Sequence, residues 1–192
     1  MPKVSRMSQI VPSGVTDDSI AYPLNDFYSR TGHSLPPLET IEPSRIPEPY
    51  KSLLVHQNDM TSTLELFHAG PIRIHVISRV LRGDEYFREV ALLDDRNGKP
   101  VEFGAIKINL DLFPPAAREE VLKEHWPLGR ILKQFNISFS SQPRGFLRIA
   151  SDKLINRVLH LTGAHLLYGR RNTLWNAERA SLAEIVEILP PS

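Results

Sequence analysis

Hydrophobic and polar residues alternate most clearly between Pro71 and Leu81, PIRIHVISRVL, where Ile72, Ile74, Val76 and Val80 fall on one face of a strand and Arg73, His75 and Arg79 on the other. A turn at Gly83-Asp84 leads into EYFREVALL, Glu85–Leu93. There Tyr86, Arg88, Val90 and Leu92 share one face and Phe87, Glu89, Ala91 and Leu93 the other, so both faces are apolar and each carries a charge. Asn97-Gly98 is a strong hairpin signal, and Val101–Leu112 reads as the returning strand. Proline-led helices are predicted over Pro114–Lys123 and His125–Phe135, then a strand over Arg144–Ala150. Ser151-Asp152 caps a helix through His160, with Gly163 closing it. Leu166–Pro190 supplies two strands joined by the polar break Asn176–Ser181, and upstream Glu48–Glu65 is helical at its start, with Leu53 and Leu54 inward and Asp59 capping a further turn. Hairpin-linked strands among helical blocks predict an α+β fold: a single, mostly antiparallel sheet with helices packed over it, enclosing a ligand cavity.

Residues 1–45 have a different character. Eight of the chain's 16 prolines precede Tyr50. Proline removes donors and fixes φ, which disfavours long helices and central strands. The expectation is a proline-rich N-terminal arm over 1–45, partly disordered or wrapped on a domain formed by 46–192. The formal net charge of +1 leaves no basic footprint for nucleic acid, and without cysteine there is neither a disulfide framework nor a thiolate metal site. The polar N-terminus lacks a signal-peptide core, and no apolar run reaches membrane-spanning length. These features point to a cytoplasmic protein without membrane insertion.

The candidate chemistry lies in charges set among apolar positions. Arg88 either pairs with a neighbouring glutamate in the sheet, the more common arrangement, or holds a ligand anion in its planar fork. Glu184 and Glu187 sit in the apolar terminal strand and each requires a solvated face or a cavity. Trp126-Pro127-Leu128-Gly129 starts a helix, either an ordinary one or one whose first amides face an oxyanion. The seven histidines are scattered, so no metal site is expected, and no phosphate-cradling glycine loop or nucleophile elbow appears.

Several motifs occur in order: Asn58-Asp59-Met60-Thr61, Phe87-Arg88-Glu89-Val90, Asn97-Gly98-Lys99-Pro100, Pro127-Leu128-Gly129-Arg130, Tyr168-Gly169-Arg170-Arg171, and the strand ending Leu189-Pro190. The series, from about Ile46 to Pro190, resembles the chorismate pyruvate-lyase family. The resemblance implies a cofactor-free lyase that converts chorismate to 4-hydroxybenzoate and pyruvate. It implies that Arg88 and the Leu128 amide bind the ring carboxylate, that Met60 packs on the ring, and that Glu184 faces the ring's oxygen-bearing end, with Glu187 as the alternative acid. The same fold also serves as the effector-sensing domain of bacterial transcription regulators. The alternative function is therefore a non-catalytic module that binds a small aromatic or carboxylate effector. Such domains usually accompany a DNA-binding helix-turn-helix, which the proline-rich arm does not resemble.

Overall fold

A computed structural model of the chain describes residues 19–192. The disorder expected at the start of the arm lies outside the described residues. The helices are α1 (Leu24–Arg30), α2 (Tyr50–Leu54), α3 (Met60–His68), α4 (Pro115–Lys123), α5 (Leu128–Gln134) and α6 (Lys153–Leu159). The strands are β1 (Leu38–Ile41), β2 (Ile72–Arg82), β3 (Glu85–Asp94), β4 (Pro100–Asn109), β5 (Ser140–Ala150), β6 (Leu166–Trp175) and β7 (Ser181–Leu189). They form one seven-stranded sheet in the order β1-β5-β6-β7-β4-β3-β2, antiparallel at every pairing. This is the α+β class expected from the hydrophobic pattern.

The central strands β3, β4 and β7 are buried along nearly their whole length. Their near-continuous apolar sequence follows from helices covering both sides of the sheet. On one side, here the front, α2 and α3 pack through Leu54, Met60 and Leu64 onto Leu92 and Leu189, and α4 and α5 pack through Val121, Ile131 and Leu132 onto Tyr86, Ile108 and Ala183. On the back, α1 and α6 bury Phe27, Tyr28, Ile155 and Leu159 against Phe87, Phe103, Val186 and Ile188.

The described part of the proline-rich segment before residue 46 packs against the rest of the chain. Part of the proline-rich segment is built into the fold: Leu24, Phe27 and Tyr28 are buried, and β1 adds an edge strand to β5, with Leu38 opposite Ile149 and Ile41 opposite Phe146. Proline confined this segment to a short helix and an edge strand, as its chemistry requires, but its aromatic residues made that helix part of the core.

Local departures from the predicted pattern have identifiable causes. A β-bulge between Val76 and Ser78 shifts the β2–β3 register. One extra residue reverses the facing of everything beyond it. Ile72, Ile74 and Val76 keep their common face, but Val80 moves to the back, opposite Phe87, and Arg79 to the front, opposite Arg88. A second irregularity between Pro143 and Gly145 lets β5 begin at Ser140, before the expected Arg144. Pro127 takes the extended cap position, so α5 starts at Leu128 rather than His125. α6 is closed by His160 in the left-handed conformation, φ 55°, and not by Gly163.

Because α1 belongs to the core, Phe27→Ala should lower the unfolding free energy by about 3 kcal/mol or more, the usual cost of truncating a buried aromatic. Urea denaturation measures it; a change below about 0.5 kcal/mol, typical of a surface site, would return α1 to the status of a loose arm.

Candidate functional site

The front of the sheet carries a cavity, roofed but partly open, whose floor comes from four adjacent strands. Arg88 of β3, Ile106 of β4, Ile185 of β7 and Asn172 of β6 lie in one cross-strand row. The next row on the same face holds Val90, Gly104, Glu187 and Arg170, and Glu102 follows opposite Leu92. The roof is the start of α3, with Asp59, Met60 and Thr61, and the start of α5, with Pro127, Leu128 and Gly129. About 60 Å³ of this space is open to the centre of a water molecule, enough for roughly four or five waters at about one per 10–15 Å³. Gly104 helps keep the floor open, since a β-carbon there would sit 3.0 Å from Glu102 Oε1 and 3.3 Å from Val90 Cγ2.

Arg88 dominates the electrostatics. Its side chain is among the largest fully buried ones, at 1% exposure. Its Nε and Nη1 have no hydrogen-bond partner among the described residues. Burial pushes its pKa down, opposed by the neighbouring Tyr86 and Glu124. The in-sheet ion pair considered from sequence does not form. Glu89 projects to the back, where Ser78 Oγ donates to its Oε2 at 2.5 Å. Glu124 is taken by Arg79, at 2.6 Å, and by the Tyr86 hydroxyl. A buried guanidinium left without any acceptor costs several kcal/mol, and such groups mark positions where a water, ion or ligand completes the bonding.

The other arginine of this face is arranged differently. Arg170 is fully buried, and its Nε donates to Glu187 Oε2. Its Nη1 donates to the carbonyls of Leu54 at 3.1 Å and His56 at 3.2 Å, and its Nη2 to that of Asn58 at 3.2 Å. The α2–α3 connection is thereby tied to the sheet. Asp59 then caps α3, accepting from the Ser62 amide at 2.9 Å, and sets Met60 over the cavity. Lys133 of α5 reaches Asp59 Oδ2 at 3.6 Å and also Ser62, joining the two roof helices. Gly129 permits this approach, because a β-carbon there would stand 2.5 Å from Asp59 Oδ1.

Of the residues proposed from sequence, Arg88, Met60, Leu128 and Glu187 all line the cavity. Glu184 does not. It faces the back of the sheet, where Oε2 accepts from Thr173 Oγ1 at 2.9 Å and Arg171 Nη2 at 3.3 Å, and Oε1 accepts from Ser181 Oγ at 3.0 Å. Glu184 and Glu187 are three positions apart, an odd number, and side chains alternate with a period of two, so the pair cannot share a face. Of the two, Glu187 is on the front, and the assignment of Glu184 to the cavity is corrected.

Glu102 was missed, although Val101-Glu102-Phe103-Gly104 places a carboxylate in an apolar strand in the same way that drew attention to Glu184 and Glu187. It is 3% exposed, and its Oε2 lacks a partner among the described residues. Burial, reinforced by the charge of Glu187 and opposed by Arg170, pushes its pKa well above the ordinary carboxylate range, toward the neutral acid. Asn172, also missed, is fully buried and pairs with Ser141 at 3.0 Å.

No family model and no curated protein matches the sequence. Solved structures do match the fold. The chain resembles PhnF from Mycobacterium smegmatis with a TM-score of 0.55 at 10% identity, covering 70% of this chain and 64% of that one, so it spans less than two thirds of PhnF. It also resembles the separately solved effector domain of PhnF, with a TM-score of 0.52 at 10% identity, covering 68% of this chain and 87% of the domain. A GntR-family transcriptional regulator from Bacillus cereus is similar at 13% identity and a TM-score of 0.46, covering 62% of this chain and 92% of that one. Identities this low establish fold alone, and the fold shared with the PhnF effector domain is the chorismate lyase-like α+β fold.

The expectation of a chorismate pyruvate-lyase producing 4-hydroxybenzoate is corrected at this point. The fold is shared with PhnF, a GntR-family regulator, and with its separately solved effector domain. The carboxylate that the resemblance placed at the ring's far end lies on the opposite side of the sheet. Among the described residues no helix is long and apolar enough to cross a membrane.

The Glu102 assignment predicts a pH effect. Its folded pKa lies above the ordinary 4.5, so above that pH the folded chain retains a proton that the unfolded chain releases. Stability therefore falls as pH rises through that window. Glu102→Gln should flatten the decline that sets in above the ordinary carboxylate range in urea titrations, leaving the contribution of Glu89, which burial also raises. An unchanged slope would show that Glu102 is solvated.

Proposed function

We propose that this chain is a non-catalytic ligand-binding module whose front cavity takes a small anionic effector in the fork of Arg88. One observation carries the reading: a fully buried guanidinium, without a partner among the described residues, lining a roofed cavity. A carboxylate or a tetrahedral oxyanion can accept from two guanidinium nitrogens at once, which restores the missing hydrogen bonds and neutralises the charge. With the roof in its present position the space suits an anion of a few heavy atoms, not a substituted ring. Met60 and Leu128 supply apolar contact above it and keep its surroundings dry, which strengthens the charge pairing.

The fold shared with the PhnF effector domain supports a sensing role. The net charge of +1 gives this chain no electrostatic means of gripping nucleic acid, so the reading assigns it effector recognition alone, in the cytoplasm.

Thermal-shift and calorimetric titrations with inorganic phosphate, sulfate, acetate, pyruvate and 4-hydroxybenzoate test the proposal. At least one of the smaller anions should stabilise the protein, and Arg88→Met should weaken its binding about a hundredfold, the loss of roughly 3 kcal/mol of charge-assisted hydrogen bonding. In the absence of ligand, Arg88→Met should be more stable than the parent by about 1 kcal/mol or more, because it removes an unpaired buried charge at similar volume. Failure of every anion to bind, together with a destabilised Arg88→Met, would sink the proposal.

A further inference from the structure

The back of the sheet holds a second, partly open pocket that the effector site does not use. It lies between the end of α1, the bulged part of β2 and the start of α6, and by the same measure as the front cavity it offers about 560 Å³. That falls within the range of small-molecule sites. Its floor is Glu89, the residue after Arg88 and therefore directed to the opposite face.

Glu89 is 5% exposed, and its Oε1 has no hydrogen-bond partner among the described residues. Its other oxygen is held by Ser78 Oγ. The β2 bulge sets Ser78 opposite Glu89, so this contact depends on the same irregularity that moved Arg79 to the front. Beside Glu89, Asp152 Oδ2 accepts from the Tyr28 hydroxyl at 2.8 Å, and Asp152 Oδ1 caps α6 through the Ile155 amide at 2.9 Å. Glu89 is therefore fixed from below and open toward the pocket.

Cations occupy the other wall. Lys153 and Arg157 lie four residues apart on α6, and both line the space. Neither side chain has a hydrogen-bond or ion-pair partner among the described residues. The charged groups acting on Glu89 are Arg30, Arg157 and Asp152. Arg30 is engaged with Asp26 at 3.2 Å, which leaves Arg157 as the uncommitted guanidinium. The pocket thus has a buried acceptor with a free oxygen at its floor and free cations at its rim.

We infer that this rear pocket is a second ligand site, one that takes a small amino-carboxylate. The ligand's ammonium donates to Glu89 Oε1, and its carboxylate is held by Arg157 and Lys153. An ammonium alone would make no use of the exposed, solvated cations at the rim, and a carboxylate alone would meet Glu89 as a like charge. A zwitterion answers both ends and enters without changing the net charge of the protein.

The test uses the whole chain, labelled with nitrogen-15, titrated with glycine, β-alanine and γ-aminobutyrate, with acetate and ethylamine as single-ended controls. An amino-carboxylate should shift the amide signals around Ser78, Glu89 and Asp152 and bind at least tenfold more tightly than either control. Binding should persist in Arg88→Met, which disables the front cavity, so loss of the front-site reading and loss of this one remain distinguishable. It should weaken at least tenfold in Glu89→Gln and in Arg157→Gln. Arg157 lies at the exposed end of the site, so its variant keeps the test decisive if Glu89→Gln does not fold. Absence of binding by all three amino-carboxylates, equal binding in Arg157→Gln, or binding abolished by Arg88→Met would each overturn the inference.

Discussion

The architecture of the front cavity depends on the ion pair between Arg170 and Glu187. Both side chains are buried, and desolvating two charges is offset only when geometry and additional hydrogen bonds complete them. Arg170 is completed by the carbonyls of Leu54, His56 and Asn58. Those carbonyls belong to a short irregular connection that has no ladder of its own, so the guanidinium does there what secondary structure does elsewhere. Removal of either partner would leave a buried charge, typically at a cost of about 3–5 kcal/mol, and would release the segment leading to Asp59 and Met60. The roof over Arg88 is therefore positioned from beneath by the other arginine of the same face.

The comparison of the two arginines is what makes Arg88 informative. Strand environment, burial and face are alike, yet Arg170 is surrounded by acceptors and Arg88 lacks partners for Nε and Nη1. A sheet able to satisfy one guanidinium so fully contains nothing that prevents satisfaction of the other. The difference lies in partners and not in setting: Glu187 is committed to Arg170, and burial together with Glu187 pushes Glu102 toward its neutral form, so neither carboxylate of the floor pairs with Arg88.

Much of this was legible because β3 has a strict period of two with apolar residues on both faces. That pattern identified a strand covered on both sides and isolated Arg88 and Glu89 as exceptions on opposite faces. Three features were not legible, each for a physical reason. The bulge at β2 leaves no mark in IRIHVISRV, which alternates well in either register, so Arg79 and Val80 were placed on the wrong sides. The choice between Glu184 and Glu187 depended on which β7 residue pairs with Ile106, a long-range register that local pattern does not carry. Proline content marked the N-terminal segment as irregular but left open whether it hangs loose or wraps on the domain, because irregular backbone and loose packing are different properties; Phe27 and Tyr28 fill the core from a helix of seven residues.

The roof of the front cavity is fastened unevenly. The bonds from Arg170 end at Asn58 and are deeply buried, whereas those beyond it are peripheral: Lys133, with its side chain 56% exposed, reaches Asp59 at 3.6 Å. Exposed ion pairs contribute about 0–1 kcal/mol, well below the cost of disrupting a buried network. The roof is therefore held more firmly up to Asn58, by buried bonds to Arg170, than beyond it, where Lys133 reaches Asp59 and Ser62 from an exposed position. The outer face of α3, with Leu66 84% and Phe67 51% exposed, lies on this less firmly held part, while the sheet beneath is fixed by its ladders and its buried ion pair.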